Sequence, residues 1–330
     1  MACHNAGPYV GEAIKSVVDQ TFTDLELIFV DDNSSDDSLA IAKVLAQSDK
    51  RIKVFSNRTN LGAGAARNLA IEKSTGDWLA VLDADDVFIK DKLQKQVALI
   101  KTAKDELVLV GTGCFQIEAN GRSFEVYSYP STSSILKNRL ISQKAFPAHS
   151  SLMYRASAVR ALGGFNDLFL RSEDLEFCLR LSEFGTFACV SEPLVKYRLH
   201  NTNISNSIGK TGYSQLDFGV AAGVCHLLRQ RGAIDPSAVG DPVLWDIFMR
   251  HVATGIRASG EVDYLEWRQA WRTLSRNKAG WMMAKNIPVF KYLLLKPSYS
   301  WRLLKQHTVG SSLHKHGLKS WLSRALCADS

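Results

Sequence analysis

Two short apolar runs in this chain stop abruptly at clustered carboxylates. Leu25-Glu26-Leu27-Ile28-Phe29-Val30 runs into Asp31-Asp32, and Trp78-Leu79-Ala80-Val81-Leu82 runs into Asp83-Ala84-Asp85-Asp86. Apolar runs of this length, bounded by polar clusters, read as buried strands. Between them, residues 38–46 and 63–71 carry helical spacing, and Lys53-Val54-Phe55 is a third short strand. Strand and helix in alternation are the sequence form of a mostly parallel sheet covered by crossover helices. In open α/β sheets ligands bind beyond the carboxyl ends of the strands, so the acidic residues are expected at a binding rim.

Beyond Asp91 a helical pattern to residue 103 precedes the strand Leu107-Val108-Leu109-Val110 and the alternating run Phe124-Glu125-Val126-Tyr127. Later strands read as less parallel. Residues 150–154, 186–190 and 194–199 are separate strand candidates, with a helix over 174–184. From Tyr213 onward the pattern is almost wholly helical, punctuated by Pro236, Pro242, Pro288 and Pro297. The expected organisation is an α/β domain over 1–208 and a helical appendage over 209–330. Charge divides at the same place: 23 basic and 25 acidic side chains before it, 17 and 8 after it. A chain of 330 residues with 46% hydrophobic content can bury a large core. Its six cysteines, Cys3, Cys114, Cys178, Cys189, Cys225 and Cys327, include no Cys-x-x-Cys spacing. That argues against zinc or dithiol chemistry and fits a reducing compartment. No basic-then-apolar leader opens the chain, and no apolar run reaches the roughly 18 residues that span a bilayer. The expected location is cytoplasmic.

Asp83 and Asp85 alternate at a strand end, so both carboxylates can approach one cation, and oxygen ligation suits magnesium or manganese. An Asp-x-Asp is also an ordinary turn after a strand. A carboxylate of Asp31-Asp32 could accept the N3 hydrogen of a uracil ring, while Ser34 and Asp37, near capping-box spacing, could simply open the next helix. Asn60-Leu61-Gly62-Ala63-Gly64-Ala65-Ala66-Arg67-Asn68 places small residues at a helix start with an arginine one turn in, a setting for phosphate oxygens. Arg67 stands where a dinucleotide fingerprint has its third glycine, which disfavours a dehydrogenase. In Ser172-Glu173-Asp174, the serine could cap a helix and the acids suit its dipole. Alternatively, a carboxylate fixed there could take a proton from an acceptor hydroxyl. His200 ends a strand candidate and could bind a metal through neutral imidazole. His149 is equally open.

Together these pieces resemble the family 2 glycosyltransferases, over residues 1–207. Five motifs carry the resemblance, in order: Gln20-Thr21-Phe22-Thr23-Asp24-Leu25-Glu26 leading to Val30-Asp31-Asp32-Asn33-Ser34-Ser35-Asp36; Asn60-x-Gly62 with Ala66-Arg67-Asn68; Leu82-Asp83-Ala84-Asp85-Asp86; Gly163-Gly164-Phe165-Asn166 with Ser172-Glu173-Asp174-Leu175-Glu176; and Tyr197-Arg198-Leu199-His200. The resemblance implies a GT-A fold, Rossmann-like, with a mostly parallel central sheet flanked by helices. It also implies inverting transfer of a sugar from a nucleotide-diphosphate donor, such as a UDP-sugar, with a divalent metal, Mn2+ or Mg2+. Asp174 would be the catalytic base, Asp85 the direct metal ligand, and His200 would complete the metal and diphosphate site. Asn5, Asp32, Asn60, Arg67 and Asp83 would bind the nucleotide-sugar. On the acceptor side would stand His149, Gly164, Phe165 and Glu173, facing a glycan or lipid-linked oligosaccharide.

Two departures from the family pattern are visible. The chain starts with Met1-Ala2-Cys3-His4-Asn5-Ala6-Gly7-Pro8-Tyr9, inside the segment that follows the family's first apolar strand, so an upstream start or a truncation is expected. No Gln-x-x-Arg-Trp of processive synthases occurs, which favours transfer of a single sugar. From Trp267 to Ala328 there are twelve Lys or Arg, no Asp or Glu, and five of the seven tryptophans. Amphipathic stretches such as Trp267, Trp271 and Leu274 beside Arg268, Arg272 and Arg276 suit an anionic membrane surface, and equally a lid or subunit contact. Nucleic acid is not an expected partner, because no binding module accompanies the charge. The rival readings are a sugar nucleotidyltransferase, which should open with a glycine-rich basic loop, and a non-catalytic scaffold that retains the fold.

Overall fold

A computed structural model of the chain describes residues 1–104, 106–142, 145–201 and 212–258. The chain divides into two compact units, Met1–Ser207 and Ile208–Ser330.

The first unit opens with β1 (Ala2–Cys3), α1 (Gly7–Val18), β2 (Leu27–Asp31), α2 (Ser38–Ser48) and β3 (Ile52–Ser56). Among the described residues these strands form a wholly parallel sheet in the order β1-β2-β3. Every residue of β2 is buried, as its unbroken apolar run requires. Helix α1, unassigned in the sequence reading, carries Val10, Ala13, Ile14 and Val17 at helical spacing and buries them in the core beside Phe29. Its start is pinned by the β2–α2 loop: the Ala6 amide donates to Ser38 Oγ (2.9 Å) and the Gly7 amide to Asp36 Oδ2 (2.8 Å). Ser34 and Asp37 do not form a capping box, since Ser34 Oγ accepts from the Asn5 amide (3.0 Å).

The unit continues with α3 (Ala63–Lys73), β4 (Trp78–Ala80), β5 (Val87–Phe88), α4 (Lys92–Thr102), β6 (Leu107–Glu118), β7 (Ser123–Tyr127), α5 (Ser133–Ile141), β8 (Met153–Arg155), α6 (Ala156–Ala161), α7 (Glu173–Ser182) and β9 (Thr186–Leu199). The second sheet runs β4-β8-β6-β9-β5, with β7 also on β6; β6 and β9 are parallel and the other pairs antiparallel. Gln20 stitches the first sheet's α1 to the start of α4. Its amide donates to Ser16 O (3.0 Å) and Ile89 O (2.8 Å), and its oxygen accepts from the Leu93 amide (3.0 Å).

Two strands expected over 186–190 and 194–199 are one, β9. Pro193 lies opposite Gly113, where the β6–β9 register shifts on both sides. A proline cannot donate to a ladder and is accommodated at such an irregularity. Gly113 is the only residue type that fits: a Cβ there would stand 2.5 Å from Tyr127 O and 2.9 Å from both Glu192 O and Ser191 O.

Five cysteines, Cys3, Cys114, Cys178, Cys189 and Cys225, are buried and form no disulfide among the described residues; Cys327 lies outside them. The second unit begins with α8 (Gln215–Gln230), opened by a capping box in which the Asp217 amide donates to Ser214 Oγ (3.2 Å) and the Ser214 amide to Asp217 Oδ2 (2.7 Å). Helix α9 (Pro242–Ala258) follows. No described helix is long and apolar enough to cross a membrane. The basic, tryptophan-rich segment 267–328 lies outside the described residues.

Candidate active site

Arg67 is the hub of the site. Gly62, at φ +94, starts α3 in a conformation open to glycine, and Arg67 follows in the second turn. Its guanidinium bonds Asp83 Oδ1 (2.8 Å), just beyond β4, and Glu173 Oε1 (2.5 Å), the first residue of α7. Its side chain is 12% exposed. Burial works against the charge, but Asp83 and Glu173 outweigh it and hold the guanidinium above its ordinary value.

Asp174 follows directly. Its carboxyl is raised to about 6, first by burial and then by the charge on Glu173; the Leu175 amide (2.8 Å) and Arg67 oppose the rise, while Asp83 adds to it. Ser172 does not cap α7 with its side chain. It adopts a left-handed conformation, φ 52, which delivers Glu173 and Asp174 at the helix start.

Asp85 Oδ2 bonds His200 Nε2 at 2.9 Å. Burial and Asp83 raise the Asp85 carboxyl against the pull of His200, and burial with Asp85 and Asp83 raises Asp86 well above the usual range. The Tyr197 phenol is pushed up by burial and by Asp86, Asp83, Asp85 and Asp174. All four carboxylates therefore act on one side chain. Arg198 buckles the end of β9 onto the acidic loop: its amide donates to Asp86 Oδ1 (2.8 Å), its Nε to Asp85 O (2.8 Å), and its guanidinium to Ala119 O (2.9 Å) and Glu12 (2.7 Å).

The residues expected on the nucleotide side are placed as follows. Asp32, 3% exposed, accepts at Oδ1 from Asn57 Nδ2 (2.8 Å) and the Leu61 amide (3.0 Å), and at Oδ2 from the Gly62 amide (2.8 Å). It thus fastens the 57–62 loop. Asn5 Oδ1 accepts the Ser35 amide (2.8 Å), and Asn60 is exposed at the edge of that loop. Arg67 is committed to carboxylates.

Of the residues expected on the acceptor side, Phe165 is clamped by Asn68, which donates to its carbonyl and accepts its amide, both at 2.8 Å. Gly164 precedes it at φ +75. His149 meets the Phe165 ring edge-on at 5.8 Å and is lowered to about 3, by burial and Arg67 against Asp83, so it is neutral. Its Nε2 is buried with no hydrogen-bond partner among the described residues. Sequence reasoning assigned no role to Asn68, Tyr197, Arg198 or Tyr9. The first three sit inside quoted motifs, which was the available signal.

Among the described residues no group of three or more His, Cys, Asp or Glu is disposed to hold a metal. Asp85 and His200 supply two donors, oxygen and imidazole, beside an excess of carboxylate charge that a cation would relieve. That pair would suit a hard divalent cation.

This architecture, with acids at the strand ends and a helix start closing over them, is the GT-A glycosyltransferase fold. In support, Staphylococcus aureus TarS 1-349, solved in complex with UDP, superposes with a TM-score of 0.59 at 18% identity, over 91% of this chain and 90% of that one. The family model Glycosyl transferase family 2 matches residues 1–163. An uncharacterized glycosyltransferase of Haemophilus influenzae is 30% identical over 218 residues, 62% of this chain and 66% of its own length. This chain thus spans just under two thirds of that relative. The Escherichia coli UDP-Glc:alpha-D-GlcNAc-diphosphoundecaprenol beta-1,3-glucosyltransferase WfgD is 30% identical over 209 residues, 63% of this chain and 78% of WfgD. The chain belongs to glycosyl transferase family 2.

Proposed function

We propose that this chain is an inverting glycosyltransferase that moves one sugar from a UDP-sugar to a hydroxyl of a lipid-linked or cell-surface glycan. One observation carries the reading: Arg67 joins Asp83 and Glu173 and so brings the acidic strand end to the start of α7, beside Asp174. By neutralising those two acids, Arg67 limits the repulsion that would keep Asp174 protonated. Asp174 takes the proton of the acceptor hydroxyl while the hydroxyl oxygen bonds to the anomeric carbon. The bond from that carbon to the diphosphate breaks on the opposite face, which inverts the configuration. A divalent cation held by Asp85 and His200 would neutralise charge on the departing diphosphate. Asp32 and Asn5 shape the nucleotide side, with Asn60 at its edge, and Phe165, Gly164 and His149 shape the acceptor side.

The donor and acceptor classes are those in the name of the E. coli relative. The basic segment 267–328 would bring the enzyme to the cytoplasmic face of a membrane where such acceptors lie. Transfer of labelled sugar from UDP-glucose with Mn2+ to a polyprenyl-diphosphate-linked sugar is the direct test. Asp174→Asn is expected to keep UDP binding in calorimetry and to lose about 10²–10⁴-fold in turnover. Asp85→Ala is expected to lose Mn2+-dependent UDP binding. Full activity in Asp174→Asn, or a product of retained configuration, overturns the reading.

A further inference from the structure

Tyr9 lies in the first turn of α1, far in sequence from the acidic loop and outside the catalytic roles assigned above. Its ring lies 5.1 Å from the His200 ring at an interplanar angle of 24°. The Arg198 guanidinium sits over the same Tyr9 ring, 4.9 Å from its centroid. Arg198 and His200 flank the end of β9, where the ladder stops. His200 stands one residue past the end of β9, and the flat face of Tyr9 lies against its ring. Tyr9 is itself held, through the Asp36 and Ser38 bonds to the Gly7 and Ala6 amides and through the tie of Arg198 to Glu12, one helical turn along α1 from Tyr9.

We propose that Tyr9 is a positioning residue, whose ring holds the His200 imidazole against Asp85 and so makes the start of α1 part of the metal half-site. This rests on the reading of Asp85 and His200 as metal ligands. Groups that orient a ligating histidine commonly set metal affinity by about 10–100-fold. Stacking needs the aromatic face and not the phenol, so phenylalanine should serve and an aliphatic residue should not.

The test is Mn2+ titration of the full chain with saturating UDP, followed by electron paramagnetic resonance, on wild type, Tyr9→Phe, Tyr9→Leu and His200→Ala. Tyr9→Phe is expected within about twofold of wild type, and Tyr9→Leu about tenfold weaker in Mn2+. The metal-free melting midpoint of Tyr9→Leu should stay within a few degrees of wild type, and its KM for donor should rise more than kcat falls. If Tyr9→Leu binds Mn2+ like wild type while His200→Ala does not, the inference is overturned and the metal reading survives. Should Tyr9→Phe weaken Mn2+ as much as Tyr9→Leu, the stacking argument is likewise overturned. Wild type that binds no Mn2+ with UDP, or His200→Ala that binds it normally, overturns both.

Discussion

Asp174 is raised to about 6 by burial and by Glu173, and the consequences for activity and for stability have opposite signs. As the base it works ionised, so kcat/KM should rise with pH through an apparent value near 6 and level off above it; a flat profile between pH 5 and 7 would argue against Asp174 as base. Folding favours the protonated form, so the stability Asp174 contributes is full below the ordinary carboxylate range and is lost as pH rises through about 6. The rise converts, at about 1.4 kcal/mol per pH unit, to an upper bound of about 3 kcal/mol. Asp174→Asn should therefore melt a few degrees higher than wild type at pH 7.5 and show little gain at pH 4, measured by calorimetry. Asp83, Asp85, Asp174 and His200 were legible as candidates because acids at strand ends and helix starts are local patterns. The partners of Arg67 were not, because its two carboxylates lie 16 and 106 residues away. Nor was the clamp on Asp32, since three donors from a later loop occupy its oxygens.

Most helices and the acid-tipped strand β2 follow from periodicity alone, whereas the run read as a buried strand over 78–82 is strand only at Trp78–Ala80, none of which is buried. Residues 186–190 and 194–199 read as two strands, but the irregularity opposite Gly113 accommodates Pro193 and β9 runs on. Ser172 looked like a cap, yet its left-handed backbone turns the chain so that Glu173 reaches Arg67. The 163–165 turn offers an element-scale test. Gly163 and Gly164 both sit at φ +75, but a Cβ on Gly163 meets nothing within 4 Å, whereas one on Gly164 would stand 2.4 Å from Asn68 Oδ1. Gly163→Ala should cost only backbone strain, about 1–2 kcal/mol. Gly164→Ala should cost about 2 kcal/mol more, because Asn68 must release Phe165. Equal losses in denaturant unfolding would show that Asn68 yields freely.

At the scale of the whole molecule, charge is divided between a balanced first unit and a basic remainder, a division readable from composition. Sheet connectivity was only partly readable, since pairing β4 with β8 and β5 with β9 joins segments about 75 and 110 residues apart. On the proposed membrane reading, the full chain should float with vesicles containing anionic lipid at physiological salt and be released near 0.5 M salt, where screening shortens to about 4–5 Å. Flotation that ignores salt and lipid charge would count against it. The buried thiols distribute through the same molecule: Cys3 in the first sheet, Cys114 and Cys189 in the second, Cys178 in α7 and Cys225 in α8. Burial raises Cys3 and Cys114 to about 11 and Cys189 to about 12, so an alkylating reagent meets unreactive sulfur until a layer opens. Nature has thus spaced a set of chemical clocks through the protein, each able to time how often its own neighbourhood breathes.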